Sequence, residues 1–352
     1  MKVLGIETSC DETAAAVVED GHKLLSNAVA SSMDLHVPYG GVVPEIAARS
    51  HIEAILPVIR QALDGATCAW ADIDAIAVTY GAGLGGSLLI GVMTARTLAI
   101  THKKPLYGIN HVEGHVYANF LTESPLPGYH FPARPPELPM LAIIVSGGHS
   151  QLVLFRDHFD YTLLGQTQDD AIGEAFDKVA KMLGLPYPGG PSVAEAAQKG
   201  DPYKFKVPKA KMSKYDFSFS GPKTAVLRLA QAQINEGYAF PSTMLAERLN
   251  EAQKADIAAS FQRVAIETIV DKAKLAYEEF SPKSVIIAGG VAASTELRRQ
   301  LTEAIPLPLA FPDPQLCTDN GAMIAALGCF KASLNQPPSD PYSLEIQPNL
   351  SM

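Results

Sequence analysis

Two histidines four residues apart are the clearest candidates for chemistry in this sequence. They are His111 and His115, in the stretch INHVEGHVYANFL that begins at Ile109. If this stretch is helical, both imidazoles project from one face about one turn apart, where they can share a divalent ion. The spacing predicts a metal site, although a histidine pair used only for packing or hydrogen bonding has the same spacing.

The acid between the histidines is in the wrong place for a zinc protease. The zincin motif H-E-x-x-H has its general base directly after the first histidine. Here that position is Val112, and the acid is Glu113, displaced by roughly 100° around the helix. The inverted motif H-x-x-E-H fails too, because Gly114 precedes the second histidine. The pattern keeps the metal ligands and lacks the protease's base.

A third ligand is expected from a carboxylate, because two histidines and one carboxylate suit iron or zinc. Asp319, in CTDNGAMIAALG, precedes a predicted helix, so its side chain can point back toward the histidines. The alternative is an ordinary aspartate that caps the helix. The sequence leaves both open.

Glycine turns are the second group of candidates. VSGGHS (Val145–Ser150), YPGGPS (Tyr187–Ser192) and IAGGVAAS (Ile287–Ser294) follow or adjoin apolar elements. Backbone amides in such turns can approach an anion closely, although glycine also serves ordinary turns. No P-loop motif is present, and no G-x-G-x-x-G follows the first strand. The turns predict a nucleotide-binding cleft between lobes, and this cleft is of neither the P-loop nor the Rossmann type.

Two acids lie in the turn of the first predicted hairpin, within ETSCDET. They are Asp11 and Glu12, and they would face the phosphates of a bound nucleotide. There they could bind a metal, orient a nucleophile or take a proton. A solvated turn is the alternative, because aspartate is common in turns.

One segment has the opposite charge to the rest of the chain. KGDPYKFKVPKAKMSKYDFSFSGPK holds seven lysines against two aspartates, whereas the protein carries a net charge of -9. Aromatic residues interleaved with lysines can grip phosphates and stack bases. The segment is the best local nucleic-acid patch, with a solvated lysine face as the alternative. Its lysines are Lys199, Lys204, Lys206, Lys209, Lys211, Lys214 and Lys223, and its aromatics are Tyr203, Phe205, Tyr215, Phe217 and Phe219.

The elements that position these residues form a repeated pattern. KVLGIETS and TAAAVVED predict a strand, polar turn and strand, and MLAIIVSGGHSQLVLF predicts the same unit about 140 residues later. Helices and strands alternate between the two hairpins, which indicates α/β lobes. We predict an N-terminal lobe over 1–130 and a C-terminal lobe over 131–317 with a basic insertion over 199–223. A helix over about 318–334 is expected to pack back on the first lobe, before an irregular tail over 335–352 that wraps the surface or is disordered.

The bulk properties exclude several classes of protein. The acidic net charge means that any nucleic-acid contact must be local or come from a partner. The four cysteines form no C-x-x-C pair, which fits a reducing compartment. The start of the chain lacks the long apolar core of a signal peptide, and the apolar run Leu84–Ile100 is interrupted by Arg96. We expect a soluble, cytoplasmic protein.

The motifs resemble, in order and over nearly the whole chain to about residue 332, those of the TsaD family of tRNA adenosine threonylcarbamoyltransferases. They are GIETSCDET, NHVEGH, VSGGHS, DDAIGEAFDKVAKMLGLPYPGGP, FSFSGPKTA and GGVAAS. The resemblance implies a two-lobed α/β protein with the duplicated fold of actin, sugar kinases and heat-shock ATPases, which is ribonuclease H-like, with a cleft between lobes. It implies transfer of threonylcarbamoyl from threonylcarbamoyl-AMP to the exocyclic amine of the adenosine that follows the anticodon, in tRNAs reading codons that begin with A.

The resemblance also implies roles for particular residues. His111, His115 and Asp319 match metal ligands, with Fe²⁺ favoured and Zn²⁺ as the alternative. The substrate-binding positions are Val145, Ser146, Gly147, Gly148, His149, Asp177, Gly190 and Ser294. Ser294 replaces the family's asparagine in GGVxxN and cannot make a two-sided amide contact. Asp11 and Glu12 are the candidate catalytic residues, on the basis of their place in the hairpin turn.

The expected partners are tRNA, a TsaB-like paralogue and a TsaE-like ATPase, with threonylcarbamoyl-AMP supplied by a TsaC-type synthase. Three other functions compete with this interpretation. A metalloprotease would cleave peptides, a small-molecule kinase of the same fold would use ATP, and a non-catalytic scaffold would survive loss of both histidines.

Overall fold

The computed structural model describes all 352 residues, which divide into two compact units. The first unit comprises residues 1–136 and 310–352, and the second comprises 137–309. The chain therefore enters the second unit once and returns to complete the first. No helix is long and apolar enough to cross a membrane.

The first unit contains one five-stranded mixed sheet with the order β3-β2-β1-β4-β5. The antiparallel strands β1, β2 and β3 are joined by short turns, and β4 and β5 add in parallel to β1. Both strands of the predicted hairpin are confirmed, and β3 is an additional strand that continues the meander. The strands are β1 (Lys2–Glu7), β2 (Glu12–Glu19), β3 (Lys23–Ser31), β4 (Ala75–Gly81) and β5 (Leu106–Asn110).

Helices cover the sheet because its central strands are apolar on both faces. The strand β1 is buried from Val3 to Glu7, and α11 packs directly on it. Gly5 permits this approach, since a Cβ there would lie 2.8 Å from the Cβ of Ala325. The helices of this unit are α1 (Met33–His36), α2 (Pro44–Gly65), α3 (Gly85–His102), α4 (His111–Tyr117) and α11 (Gly321–Ser333).

The second unit repeats the strand order of the first. Its sheet has the order β10-β9-β6-β7-β8, in which β6, β7 and β8 are antiparallel and β9 is parallel to β6. Read from β8, this is the same sequence of neighbours as β3-β2-β1-β4-β5, so the duplication predicted from the two hairpins is confirmed. The strands are β6 (Met140–Val145), β7 (Ser150–Asp157), β8 (Asp160–Gln166), β9 (Ser284–Ala288) and β10 (Leu309–Ala310).

Most of the second unit outside its sheet is helical. The 30-residue helix α9 packs against β6 and contacts α5, α6, α7 and α10. Its N-terminus has a capping box, because Asn250 and Gln253 each bond the other's backbone N–H. The helices are α5 (Ile172–Leu183), α6 (Gly189–Ala197), α7 (Ser220–Gln233), α8 (Leu245–Arg248), α9 (Glu251–Phe280) and α10 (Thr295–Ala304).

Residues 335–352 contain no helix or extended strand, yet they are anchored on the first unit. The Ser339 amide donates to the carbonyl of Leu106 at 2.7 Å, and the Gln347 amide donates to the carbonyl of Tyr80 at 2.7 Å. Of the two outcomes expected for this tail, the structure has the one in which it wraps the surface.

Candidate metal centre and glycine turns

The two histidines lie on α4, which starts where β5 ends. Asn110 caps this helix, because its side-chain oxygen accepts from the amides of Val112 at 2.9 Å and Glu113 at 3.4 Å. The predicted helical arrangement is confirmed, with the rings of His111 and His115 centred 4.7 Å apart. Both imidazoles therefore lie on the helix that follows the carboxyl end of the parallel strand β5.

Asp319 completes a group of three. Its Oδ1 lies 3.6 Å from His111 Nε2 and 3.3 Å from His115 Nε2, and the three potential ligand atoms lie within 4.8 Å of one another. Asp319 is not the helix cap, because that role belongs to Asn320, whose side chain accepts from the Met323 amide at 3.0 Å. The packing of α11 on β1 and α4 brings this loop to the histidines.

The surroundings of the histidines fit a metal ion. Both ring nitrogens of His115 are buried and have no hydrogen-bond partner, which is costly for a group that could otherwise bond water. A metal bond to Nε2 would offset part of that cost. In His111 the Nδ1 atom is 3.0 Å from Ser9 Oγ and 3.3 Å from Glu7 Oε2, so Nε2 remains directed toward Asp319. Metal-binding histidines commonly use their second nitrogen in this way.

Glu7 contacts His111 and accepts hydrogen bonds from neighbouring residues. This fully buried carboxylate accepts hydrogen bonds from Thr79 Oγ1 at 2.5 Å and from the Ser9 amide at 2.5 Å. Burial alone would lower the pKa of His111, but the negative charges of Asp319 and Glu7 outweigh it and raise that pKa to about 9. Such a concentration of negative charge favours a cation. Sequence reasoning missed Glu7 and Ser9 as site residues, although both lie in the motif GIETSCDET.

Glu113 does not take part in this group. Its side chain is buried, and burial raises its pKa while the positive charge of Lys331 opposes the shift. The charge neighbours of Glu113 are Lys331 and Tyr80, not the histidines. Glu113 is therefore not placed as a protease base beside the histidines, in space as well as in sequence.

The two candidate catalytic acids lie at the start of β2 close to the same group: Asp11 directly precedes the strand, and Glu12 is its first residue. Asp11 is buried, and Glu12 is half-buried and accepts from Ser31 Oγ at 3.2 Å. Burial, followed by the charges of Asp319 and Asp11, raises the pKa of Glu12 to about 9. In the metal-free protein Glu12 therefore holds a proton at neutral pH.

A stability measurement can test this property of Glu12. The folded protein keeps the Glu12 proton between the usual glutamate pKa and about 9, whereas the unfolded chain loses it. The unfolding free energy of chelator-treated protein should therefore fall as pH rises through this interval, and Glu12→Gln should reduce the fall. Thermal unfolding at several pH values measures the effect, with Glu19→Gln as the control. Equal pH dependence in Glu12→Gln and wild type would refute the prediction.

The glycine turns all lie in the second unit. In the turn after β6, the Ser146 amide donates to the His149 carbonyl at 2.8 Å, and the His149 amide donates to Ser146 Oγ at 3.1 Å. The intervening Gly147 and Gly148 are exposed, and a Cβ on either would meet no atom within 4 Å. Val145, the preceding residue, is fully buried at the end of β6.

Helix starts support these turns. The amides of Gly173 and Glu174 in α5 donate to the carbonyls of Ser146 and Gly147 at 3.3 and 3.2 Å. Further along α5, Asp177 accepts from the Gly189 amide at 2.7 Å and so caps the first turn of α6. Burial raises the pKa of Asp177, and this hydrogen bond opposes the shift.

The remaining predicted substrate-binding residues also adjoin helix starts. Gly190 follows Gly189 in α6, and a Cβ on Gly190 would again meet nothing within 4 Å. Ser294 caps α10, because its Oγ accepts from the Leu297 amide at 3.3 Å. Its hydroxyl can still donate one hydrogen bond.

The basic segment differs from the expectation in its aromatic residues. Tyr215, Phe217 and Phe219 are buried and cannot stack a base, whereas Tyr203 is 75% exposed. The cause is a bridge to β8: the Phe217 amide donates to Gln166, and the Gln168 amide donates to Phe217. In this extended segment, alternate residues face the core.

Several of the predicted cations are also engaged. Lys209 contacts Glu267 and Asp271, Lys214 contacts Glu279, and Lys223 contacts Asp170. Lys199 contacts Glu195, whereas Lys204, Lys206 and Lys211 are exposed and form no ion pair. The prediction that aromatic residues of 199–223 can stack bases is therefore wrong for Tyr215, Phe217 and Phe219, and three exposed lysines with Tyr203 remain.

The fold and the site together define a class of protein. Two copies of one strand order, each in a helix-covered sheet, form a duplicated α/β architecture. In this protein the first copy carries two histidines and an aspartate that can hold a metal ion. The chain belongs to the TsaD family: residues 23–326 match the family described as tRNA N6-adenosine threonylcarbamoyltransferase.

Named relatives cover most of the chain. The tRNA N6-adenosine threonylcarbamoyltransferase of Thermomicrobium roseum is 50% identical over 340 residues, covering 94% of this chain and 92% of the relative. That of Dehalococcoides mccartyi is 44% identical over 353 residues, covering 100% and 99%. Among solved structures, component A of (R)-2-hydroxyglutaryl-CoA dehydratase from Acidaminococcus fermentans is 16% identical with a TM-score of 0.49, covering 95% and 99%.

Proposed function

We propose that this protein transfers the threonylcarbamoyl group from threonylcarbamoyl-AMP to the exocyclic amine of the adenosine that follows the anticodon, in tRNAs reading codons that begin with A. The observation that carries the proposal is the family match over residues 23–326, which spans both units. The metal group supports it, and the lack of the zincin glutamate at Val112 together with the position of Glu113 disfavours peptide hydrolysis. Membership of the TsaD family also disfavours the alternative function of a small-molecule kinase.

The second unit supplies the groups for the adenylate. The amides of Gly147 and Gly148 are free to donate to an anion, and their missing side chains leave room for it. The first turn of α6, which contains Gly190, adds amides and favourable partial charge. Val145, Ser146 and His149 fix the turn, Asp177 fixes the helix start, and Ser294 offers its hydroxyl.

The reaction is acyl transfer to an amine. The adenosine nitrogen attacks the carbamoyl carbon, the bond from that carbon to the phosphate oxygen breaks, and AMP leaves. Negative charge develops on the carbonyl oxygen and on the leaving phosphate, where backbone amides stabilise it. The attacking nitrogen loses a proton, and in this proposal Asp11 or Glu12 accepts it or orients the amine.

The metal ligands are His111, His115 and Asp319, and we favour Fe²⁺ over Zn²⁺ because two histidines and a carboxylate form a common iron-binding face. When bound, the ion supplies positive charge for donor phosphate and lowers the pKa of nearby carboxyl groups. Glu12, protonated at neutral pH in the metal-free protein, is one of those groups. Glu7 and Ser9 hold His111 in the orientation that leaves Nε2 available.

The protein acts with helpers in this proposal: a TsaB-like paralogue, a TsaE-like ATPase and a TsaC-type synthase that makes the donor. An exposed apolar surface on neighbouring helices of the first unit suits the paralogue. Ile52 and Leu56 of α2 are 61% and 62% exposed, and Leu89 and Met93 of α3 are 47% and 48% exposed. The two helices pack against each other, and exposed apolar side chains on adjoining helices can contribute to a protein interface.

The tRNA interface is proposed to include Lys204, Lys206 and Lys211. Replacing all three with alanine should weaken tRNA binding and reduce the slope of log affinity against log salt by about one for each phosphate that a lysine no longer neutralises. Binding is measured by fluorescence anisotropy over a salt series. Lys274→Ala, on an exposed face of α9, is the control. A triple variant with the wild-type slope would remove these lysines from the interface.

The proposed function is tested by incubating the protein with threonylcarbamoyl-AMP, unmodified tRNA and each combination of helpers, then analysing nucleosides by mass spectrometry. We expect threonylcarbamoyladenosine in at least one combination. Absence of the modified nucleoside from every combination would overturn the proposal.

A further inference from the structure

Residues 339–351, which we call the C-terminal strap, run along β5 from its first residue to its last. Near the start, the Ser339 amide donates to Leu106, and Ser339 Oγ accepts from the Gly108 amide at 3.0 Å. At the end, the carbonyl of Ser351 accepts from Asn110 Nδ2 at 3.1 Å. The strap therefore reaches the residue that caps the helix carrying both histidines.

The strap is held at several points between these ends. Arg96 of α3 donates to the carbonyls of Pro341 and Tyr342, both at 2.6 Å. Leu344 and Ile346 pack against the core of the first unit. These contacts hold the strap against the first unit, so the positions of its last residues are fixed.

The last residues also clamp the loop after β4. The Gln347 amide donates to Tyr80, and the Gly83 amide donates to the carbonyl of Pro348 at 3.1 Å. A Cβ on Gly81 would overlap the carbonyl oxygen of Gln347 and lie 2.8 Å from the Cβ of Leu350. The absence of a side chain at Gly81 thus makes room for the strap itself.

Both clamped elements orient His111. Asn110 holds the first turn of α4. Its side-chain Oδ1 accepts from amides of α4, and its Nδ2 donates to the carbonyl of Ser351. The loop after β4 reaches Ser9, since the Leu84 amide donates to the Ser9 carbonyl at 2.8 Å. Ser9 Oγ in turn lies 3.0 Å from His111 Nδ1.

We propose that the C-terminal strap is a positioning element of the metal centre, acting through Asn110 and through the loop that supports Ser9. It lies outside the matched family region of residues 23–326. The inference rests on the proposed function only in taking His111, His115 and Asp319 as metal ligands.

The first test removes residues 347–352 from the chain. Zinc affinity, measured by competition with a chelating dye, should fall about tenfold, the lower end of the range for loss of outer-shell support. Hydrogen exchange at the amides of Val112 and Glu113 should accelerate, because their acceptor Asn110 is no longer held. Tyr342→Ala is the control, since its side chain is 71% exposed while its carbonyl still accepts from Arg96.

The second test displaces the strap without shortening the chain. Gly81→Ala should expel the strap and reproduce both effects of the truncation, whereas Gly85→Ala should not, because its Cβ would lie 3.6 Å from the nearest atom of the strap. In the truncated chain, Gly81→Ala should cause no further fall in zinc affinity. This departure from additivity distinguishes a clamp from general destabilisation.

A third variant covers the case in which the truncated chain fails to fold. Asn110→Ser retains an oxygen that can cap α4 but cannot reach Ser351, and it should lower zinc affinity below that of the wild type. Wild-type zinc affinity and exchange in the folded truncated chain, or in both Gly81→Ala and Asn110→Ser, would overturn the inference. Since none of these measurements uses donor or tRNA, failure of the transfer reaction would leave the result for the strap intact.

Discussion

Replacing His115 with alanine is expected to abolish stoichiometric metal binding and threonylcarbamoyl transfer together. Loss of an outer-shell group typically costs about 10–100-fold in metal affinity, and loss of a ligand should cost more. Metal content measured by mass spectrometry should fall from about one ion per chain to near zero. Transfer should fall in parallel, because in the proposed function the ion supplies positive charge for the donor phosphate.

The stability of the metal-free variant separates a ligand from a structural histidine. Both ring nitrogens of His115 are buried and form no hydrogen bond, although Nε2 lies 3.3 Å from Asp319 Oδ1. Removing the ring therefore removes a desolvation cost as well as packing and this one contact. In contrast, His111→Ala removes the interactions of Nδ1 with Ser9 and Glu7. We therefore expect chelator-treated His115→Ala to be destabilised less than chelator-treated His111→Ala.

His130 provides the matched control, because its side chain is 90% exposed. His130→Ala should keep both metal and transfer. If His115→Ala retained one ion per chain, the three-residue group would not be the metal site, and if it lost the ion but transferred at the wild-type rate, the ion would not serve the reaction.

Alanine substitutions in the glycine turns should divide into two classes. Gly147→Ala and Gly190→Ala add a methyl group where the protein itself has no atom within 4 Å. Stability should change by no more than about 0.5 kcal/mol, as for other surface substitutions. If the donor occupies that space, its apparent affinity should fall by about tenfold or more, because a methyl group displaces it from the amides.

Gly173→Ala and Gly189→Ala should behave differently. A Cβ on Gly173 would lie 2.7 Å from the Ser146 carbonyl oxygen, and one on Gly189 would lie 2.5 Å from the Asp177 Cα. Both clash with backbone, so the unfolding free energy should fall by about 1–3 kcal/mol. Thermal or denaturant unfolding and donor KM, measured on all four variants, give the comparison. Gly147→Ala and Gly190→Ala enzymes with normal KM would remove the adenylate from these turns.

The metal group can be predicted from sequence because its signals are local. The four-residue spacing of His111 and His115 puts both side chains on one face of any helix. The predicted helix after Asp319 places that residue at a turn. The choice between ligand and cap needs the structure, in which the next residue, Asn320, takes the cap. The support from Glu7 cannot be predicted, since it depends on the pairing of β1 with β4 and on the interaction of Glu7 with a histidine 104 positions away.

The fold is predictable where hydrophobic patterns are strong and only incompletely elsewhere. Both hairpins and the alternating helices are present, but the sequence prediction omits β3 and β8, because each follows a turn that is equally compatible with the end of a hairpin. The basic segment misleads for a different reason. Its alternating Tyr215, Phe217 and Phe219 resemble base-stacking residues, whereas a period of two is also the pattern of an extended segment with one buried face.

The central claim is that the exocyclic amine of one tRNA adenosine receives the threonylcarbamoyl group. The most direct measurement compares unmodified tRNA with the same tRNA carrying guanosine in place of that adenosine, using the helper combination that supports transfer. AMP release and modified nucleoside are quantified in the same reaction. We predict equal amounts of AMP and threonylcarbamoyladenosine with the adenosine tRNA and no modified nucleoside with the guanosine tRNA. Modification of the guanosine tRNA, or donor breakdown with no nucleoside product in either, would contradict the account.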